Sequence, residues 1–352
     1  MTTARFTRFE ALGAYLPATV QATAELMAGM TAASADDLEG FTGIRNRRVR
    51  DADQDSLALA LLAAKNCLAR SRYRAEQLDV IVSTSISRAR NDEVGGYRIY
   101  FEPAFSLWIK RAIGAHGALH FDLSNACAGM MTGVMLLDRM IKAGIVRSGM
   151  VVSGECITPI AETATREVRD ARDPQLASLT VGDSGAAVII DRSEDERDRI
   201  HYIELVTCAE YALMCLGMPS DQQPGMAMYA NNLELHSRHR IKLWPAFLAD
   251  VLARRGATFA SERFDHVIHH QVGTLAMHLF SKVAGPELGH EVPRSLSCVE
   301  EYGNTATTSH FVVLDHHLRQ GRIQRGNKIL FVPAASGIVT GCVSATISSL
   351  EV

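Results

Sequence analysis

The stretch Asp122-Leu123-Ser124-Asn125-Ala126-Cys127-Ala128-Gly129 decides how this chain is read. Before it, Ala118-Leu119-His120-Phe121-Asp122-Leu123 reads as a strand. After it, Met130, Met131, Val134, Leu137 and Ile141 recur at helical spacing, and Gly144 stops the helix. The pattern predicts a strand, a turn and a buried helix, with Cys127 at the helix start. A thiol there feels the positive end of the helix dipole and its unpaired N–H groups. Both favour the thiolate, which is the nucleophile. A small core residue at a strand–helix junction is the plainer alternative, so the rest of the chain must choose.

Working outward, Leu137-Asp138-Arg139-Met140-Ile141-Lys142-Ala143-Gly144 resembles Leu314-Asp315-His316-His317-Leu318-Arg319-Gln320-Gly321. Val146 and Gly149 continue the match to Ile323 and Gly326. A constant offset sets Asn304, in Gly303-Asn304-Thr305, opposite Cys127. A duplicated half would aim two equivalent helix starts at one shared site. In Asp265-His266-Val267-Ile268-His269-His270-Gln271 an apolar-rich run ends in paired histidines, which suits a cleft between halves. Cysteine nucleophiles work beside a histidine, and an amide can orient that histidine or donate to an oxyanion. A papain-like protease uses the same residue types, so the order Cys127, His270, Asn304 does not by itself choose a reaction. No recognisable zinc spacing is present, and no metal is expected.

The 352 residues are enough for one large domain or two tightly packed halves. A hydrophobic fraction of 47% and a net charge of −3 describe an ordinary soluble protein with no sign of nucleic-acid binding. The seven cysteines lack a repeated spacing and no signal peptide is evident, which points to a reducing cytoplasm. No apolar run reads as a membrane span. Strands are predicted over 80–85, 119–123, 150–153, 186–190, 202–207, 266–269, 329–332 and 342–348. Helices alternate with them, as at Ser56 to Arg70 and Leu235 to Arg254, giving an α/β class. The charged run from Asp191 to Arg199 is the best linker between halves, placed at 1–195 and 196–352. Arg45, Arg47, Arg48 and Arg50 form a basic segment that either meets an acidic partner or is a solvated loop. Met214, Met218, Met226 and Met228 either line a tunnel or pack a loop.

Six segments in order resemble the ketosynthases of the thiolase superfamily, above all 3-oxoacyl-ACP synthase III. They are Ala11 to Pro17, Thr42-Gly43-Ile44-Arg45-Asn46-Arg47-Arg48, Asn125 to Gly129, Gly182-Asp183-Ser184-Gly185-Ala186-Ala187, His269-His270-Gln271 and Gly303-Asn304-Thr305. Ser336-Gly337 and Gly341 match part of a glycine-rich loop. The resemblance implies a five-layered αβαβα thiolase fold from two duplicated halves, usually a homodimer. It implies that Cys127 carries an acyl group as a thioester, with its own N–H and that of Gly337 as oxyanion hole. His270 and Asn304 would bind the second thioester's carbonyl oxygen and stabilise its enolate. The expected reaction is a Claisen condensation in fatty-acid or polyketide-like biosynthesis. Acyl-CoA or acyl carrier protein would deliver the substrate, and no cofactor would be tightly bound.

Three departures from the family pattern shape the expectation. A tryptophan and an arginine that bind CoA in the family are replaced by Asp37 and Phe41, which gives weight to carrier-protein delivery. Ala334, Ala335 and Ser336 make the C-terminal loop poorer in glycine. In Tyr100-Phe101-Glu102-Pro103-Ala104, Glu102 stands where the family has a gating phenylalanine. A glutamate there resembles the head-to-head thiolases of olefin biosynthesis, whose partner subunit supplies it as a base. It also suits a helix start beside a proline. The competing functions are acyl transfer to oxygen or nitrogen without a carbon–carbon bond, and a non-enzymatic partner of another ketosynthase.

Overall fold

A computed structural model describes residues 6–30, 37–91, 97–99, 102–235 and 237–350. Tyr100 and Phe101, beside Glu102, lie outside the described residues. Two sheets organise the chain. The first contains β1 (Phe6–Tyr15), β2 (Val80–Ser83), β3 (Leu119–Asp122), β4 (Ser148–Glu155) and β5 (Ser184–Ser193). Its order is β1-β5-β4-β2-β3. The second contains β6 (Arg199–Thr207), β7 (His266–His269), β8 (Asn327–Val332) and β9 (Val339–Ile347), in the order β6-β9-β8-β7. Each sheet runs antiparallel, antiparallel, parallel from its first strand, and the first adds β3 as a further parallel edge.

Helices fill the layers around these sheets. The main ones are α1 (Ser56–Arg70), α2 (Gly129–Lys142), α3 (Leu243–Arg254), α4 (Thr274–Leu288) and α5 (Ser309–Arg319). The apolar stripes of α2 and α5 share one buried cluster with both sheets. Met130, Val134, Leu137 and Ile141 meet Phe311 and Leu314 there, between Val82 and Val188 on one side and Ile268 and Phe331 on the other. Burying side chains of this size contributes about 1.5–3 kcal/mol each. Helix α1 covers the outer face of the first sheet. It lies so close that a Cβ at Gly185 would stand 2.2 Å from the Leu59 carbonyl oxygen. Helices α3 and α4 cover the outer face of the second sheet through Trp244, Leu248 and Ala284. The result is the α/β, five-layered αβαβα arrangement.

All eight strands read from the sequence are present, with ends shifted by up to three residues. The charged run 191–199 joins β5 of the first sheet to β6 of the second; two other readings need correction. Asp191 lies within β5, fully buried, and accepts hydrogen bonds from Arg8 at 2.9 Å, from Tyr73 at 3.1 Å and from Arg72. Asp198 accepts from the Ser348 N–H at 3.0 Å. Burial of acids with donors around them makes the connection a fixed turn. The stretch 235–254 is broken into the short helices Asn232–Leu235 and Arg238–Ile241 before α3 begins. Of the basic segment, Arg47 is completely buried and binds Thr23 and the Leu179 carbonyl. Arg48 binds the Ala18 carbonyl, and Arg45 pairs with Glu301 at 2.5 Å. Arg47 thus braces the interior, whereas Arg45 and Arg48 make their contacts nearer the surface. Among the described residues no helix is long and apolar enough to cross a membrane.

Candidate active site

Strand β3 ends at Asp122, and the chain enters a 3-10 turn, Ala126–Ala128, before α2. Ala126 takes φ +44°, a left-handed conformation that alanine rarely adopts. The Asn125 amide donates to the Thr132 hydroxyl at 2.8 Å and locks the turn onto the helix. Gly129 lets the turn press inward: a Cβ there would meet Thr84 at 3.2 Å and Thr307 at 3.3 Å. Cys127 is left partly exposed, and only to a cavity.

The second half builds a turn of the same shape. Ala306 takes φ +50°, and the 3-10 turn Ala306–Thr308 runs into α5. The repeat is therefore real at both helix ends, but its offset is not constant. Gly144 and Gly321 both follow the helix ends with left-handed φ. The start of α5 falls three residues late, because it has 11 residues where α2 has 14. Thr307, not Asn304, is thus the counterpart of Cys127. Asn304 sits one step earlier, held by its N–H to the Thr180 carbonyl at 2.9 Å. Its side-chain oxygen accepts from the Ala306 N–H at 3.0 Å, which leaves the NH2 as the free donor.

His270 follows β7, tied by its N–H to the Val332 carbonyl at 3.1 Å. Its ring stacks on His310, centroids 6.0 Å apart, and His310 Nε2 lies 3.1 Å from the same carbonyl. Burial, helped by His310, pushes His270 down to about 3, so it is a neutral imidazole near pH 7.

Cys127, His270 and Asn304 line one cavity of about 490 Å³, within the range of small-molecule sites. Ser336 and Ile338 flank Gly337 in its wall, and Gly337 itself takes φ +119°. Most of the lining is apolar, including Leu38, Leu176, Met228, Ile241, Leu243 and Phe280. Only Met228 of the four methionines contributes. Phe41 stands at the rim, 59% exposed, while Asp37 caps its own short helix through the Gly40 N–H at 2.8 Å. Glu102 is exposed and does not line the cavity of its own chain.

The thiol departs from expectation. Burial pushes Cys127 up to about 12, with Cys215 and Glu155 adding to the effect. Desolvation of the charged form outweighs the helix start, so the resting group is a thiol.

Two family profiles match the chain: 3-oxoacyl-[acyl-carrier-protein] synthase III over residues 121–208, and the synthase III C terminal over 255–347. The chain belongs to the synthase III-like ketosynthases of the thiolase superfamily. It is a condensing enzyme of the acyltransferase class. A β-ketoacyl-[acyl-carrier-protein] synthase III of Acidiphilium cryptum is 28% identical, covering 95% of this chain and 97% of its own. An acyl-CoA:acyl-CoA alkyltransferase of Xanthomonas campestris is 26% identical over 86% of each. The crystal structure of a variant of OleA from Xanthomonas campestris superposes with a TM-score of 0.81, at 22% identity and 98% coverage of each chain.

Several groups around the ketosynthase site were not singled out in the sequence. Glu155, at the end of β4, is buried and pushed up by desolvation. It accepts hydrogen bonds from Thr307 at 2.6 Å, Ser153 at 2.9 Å and the Ile86 N–H at 3.0 Å. Asp183, in the Gly-Asp-Ser-Gly segment, accepts from the N–H groups of Arg50, Ile157 and Thr158 and so joins three stretches beneath the site. Cys215 lines the cavity and interacts with the side chain of Ser336. His269, where the family motif has proline, lies edge-on to Trp244 at 5.1 Å. Asp183 and His269 stand in segments that resemble the family, whereas Glu155 and Cys215 carry no signal in the sequence.

Proposed function

We propose that the enzyme loads an acyl group on Cys127 and joins it to a second thioester by Claisen condensation. The observation that carries this reading is the shared apolar cavity of Cys127, His270 and Asn304. In the first step the Cys127 sulfur attacks the thioester carbonyl. The carbon–sulfur bond to CoA or the carrier breaks, and the thiol proton leaves with that sulfur. The N–H groups of Cys127 and Gly337 then receive the oxyanion. In the second step the incoming thioester's carbonyl accepts from the His270 Nε2–H and the Asn304 NH2. These donors stabilise the enolate as its charge develops. The enolate forms as the second unit loses carbon dioxide or an α-proton; its carbon attacks the acyl-Cys127 carbonyl, the Cys127 thiolate leaves, and it takes a proton from water.

The substrate pair is a thioester of CoA or acyl carrier protein with either a malonyl thioester or a second acyl chain. We read the working unit as a cytoplasmic homodimer of two-half chains, 1–195 and 196–352. Strand β3 is an open sheet edge, and Leu119 on it and Leu107 on the helix packed against it are exposed, which favours pairing of edges. A dimer would also let Glu102 enter the neighbouring cavity, where it would remove an α-proton if no carbon dioxide is lost.

The test is incubation with an acyl-thioester panel and malonyl carrier protein, following Cys127 acylation by mass and carbon dioxide release together. Acylation with release establishes the decarboxylative route. Acylation without release, with a head-to-head product, assigns the base role, and Glu102→Ala should then lower product formation about 10²-fold or more while leaving acylation intact. Equal product from Glu102→Ala would remove Glu102 from the mechanism. Absence of acylation with every thioester would end the reading.

A further inference from the structure

Behind the His270 ring lies a second buried imidazole that does not line the cavity. His310, in the first turn of α5, is 0% exposed. Its Nε2 lies 3.1 Å from the Val332 carbonyl oxygen. A carbonyl can only accept, so a proton sits on that nitrogen. Burial pushes His310 down to about 4, so near pH 7 the ring is neutral and Nδ1 is bare. The His270 N–H donates to the same oxygen at 3.1 Å. Val332 ends β8, and His270 follows β7, its parallel neighbour. One carbonyl therefore receives two donors, one for each lone pair.

The rings meet as well as the backbone. Their planes are 29° apart and their centroids 6.0 Å apart. Phe331 meets the His310 ring edge to face at 6.5 Å. An apolar ring would be the cheaper occupant of this place, because His310 Nδ1 is buried with no hydrogen-bond partner. An apolar ring could still stack on His270, but it could not donate to Val332. The Val332 carbonyl would then keep only the His270 N–H, and the joint between β7 and β8 that carries His270 would loosen.

We propose that His310 is a positioning residue for the condensation step: it clamps the Val332 carbonyl and the His270 ring so that the His270 Nε2–H meets the carbonyl oxygen of the second thioester. The inference rests on the reading of His270 as a donor in that step. His310 touches no reacting atom. Loading of Cys127 draws instead on the N–H groups of Cys127 and Gly337, so the two steps should respond differently. A small displacement is enough, since an error of about 1 Å in catalytic geometry can cost about 10²-fold.

The experiment measures two rates by intact mass. Acetyl-CoA or octanoyl-CoA loads Cys127 in a single turnover, and the acyl-enzyme then meets malonyl carrier protein or a second portion of the acyl-CoA. His310→Phe should keep loading within about twofold and slow condensation about 10–10²-fold. His310→Leu, which also gives up the stack, should slow it at least as much. His310→Gln, whose amide reaches toward the same carbonyl, should recover most of the rate. The decisive arm is a cycle with His270→Ala. In that background His310→Phe should slow condensation by less than about twofold further, because no imidazole remains to be positioned. Equal slowing of both steps, or full additivity in the cycle, would make His310 a core residue and overturn the inference. So would an unchanged condensation rate in His310→Phe and His310→Leu. If one of these two variants does not load, the other carries the cycle; failure of both to load also assigns a structural role and overturns the inference. If the native enzyme gives no product with either second substrate, the condensation reading itself falls, and this inference with it.

Discussion

The turns Ala126–Ala128 and Ala306–Thr308 share a left-handed alanine, one 3-10 step and a following buried helix, yet they hold opposite kinds of side chain. Cys127 faces the cavity and, among the described residues, makes no side-chain hydrogen bond to another residue. Thr307 is 1% exposed, and its hydroxyl is engaged by Ser153 at 2.7 Å and Glu155 at 2.6 Å. A duplicated backbone has thus been divided: one turn presents a nucleophile, and the other is fastened to the first half. Thr307 takes the place of Cys127 in the repeat, while Asn304, three residues earlier, lines the cavity.

The largest way to break that division is at the nucleophile. Cys127→Ala should eliminate the acyl-enzyme mass adduct and reduce turnover by at least about 10³-fold. Unchanged turnover would move the reaction away from covalent catalysis. The opposite side of the site should behave differently. His270→Ala and Asn304→Ala should keep Cys127 acylation within a small factor while slowing condensation about 10²–10³-fold, the usual cost of one donor to a developing oxyanion. Single-turnover acylation measured beside product formation separates the two. Loss of acylation in Asn304→Ala would assign that amide to the first step.

Much of this was legible because the signals were periodic. The apolar spacing of α2, the β-rich runs and the repeated Leu-Asp motif announce two similar α/β halves with a cysteine at a junction. The resting state of Cys127 was not legible: a helix start is visible in sequence, whereas the burial that raises the thiol comes from segments far away. The offset was misread for a similar reason. Alanine carries no signal for a left-handed turn, so nothing at Ala126 or Ala306 marks them as equivalent. Trp244 and His269 reach one wall through the packing of α3 and α4 on the second sheet.

The halves also differ in how they meet acid. The histidines pushed down to about 3 or 4 are His201, His269, His270, His310 and His317, all in the second half, and burial is the main cause in each. In the unfolded chain such groups take up protons near pH 6.5, whereas the folded protein refuses them until about pH 4 or below. The unfolded state therefore binds more protons across that window, and stability falls as pH drops through it. Each deeply buried histidine contributes about 1.4 kcal/mol per pH unit below 6.5, or about 2 kcal/mol at pH 5. Glu155 and Asp183, raised by burial, act in the other direction but are only two. Urea denaturation from pH 7 to 5 should show falling midpoints, and hydrogen exchange should show the second half opening first. A flat profile would mean that these rings find protons or partners in the folded state.

The smallest expected effect tests the fastened turn directly. Thr307→Val keeps the shape and removes the hydroxyl, leaving Glu155 with the donors from Ser153, Ser87 and Ile86. One hydrogen bond to a buried carboxylate should be lost, at a cost of about 1–3 kcal/mol in denaturation. The valine should also push Glu155 further up, because the hydroxyl is the strongest influence holding it down. Acylation of Cys127 should persist, since the turn that bears it is held separately by Asn125 and Thr132. If Thr307→Val instead abolishes acylation without lowering stability, the two turns are not divided in function, and the Glu155 network belongs to the chemistry rather than to the frame.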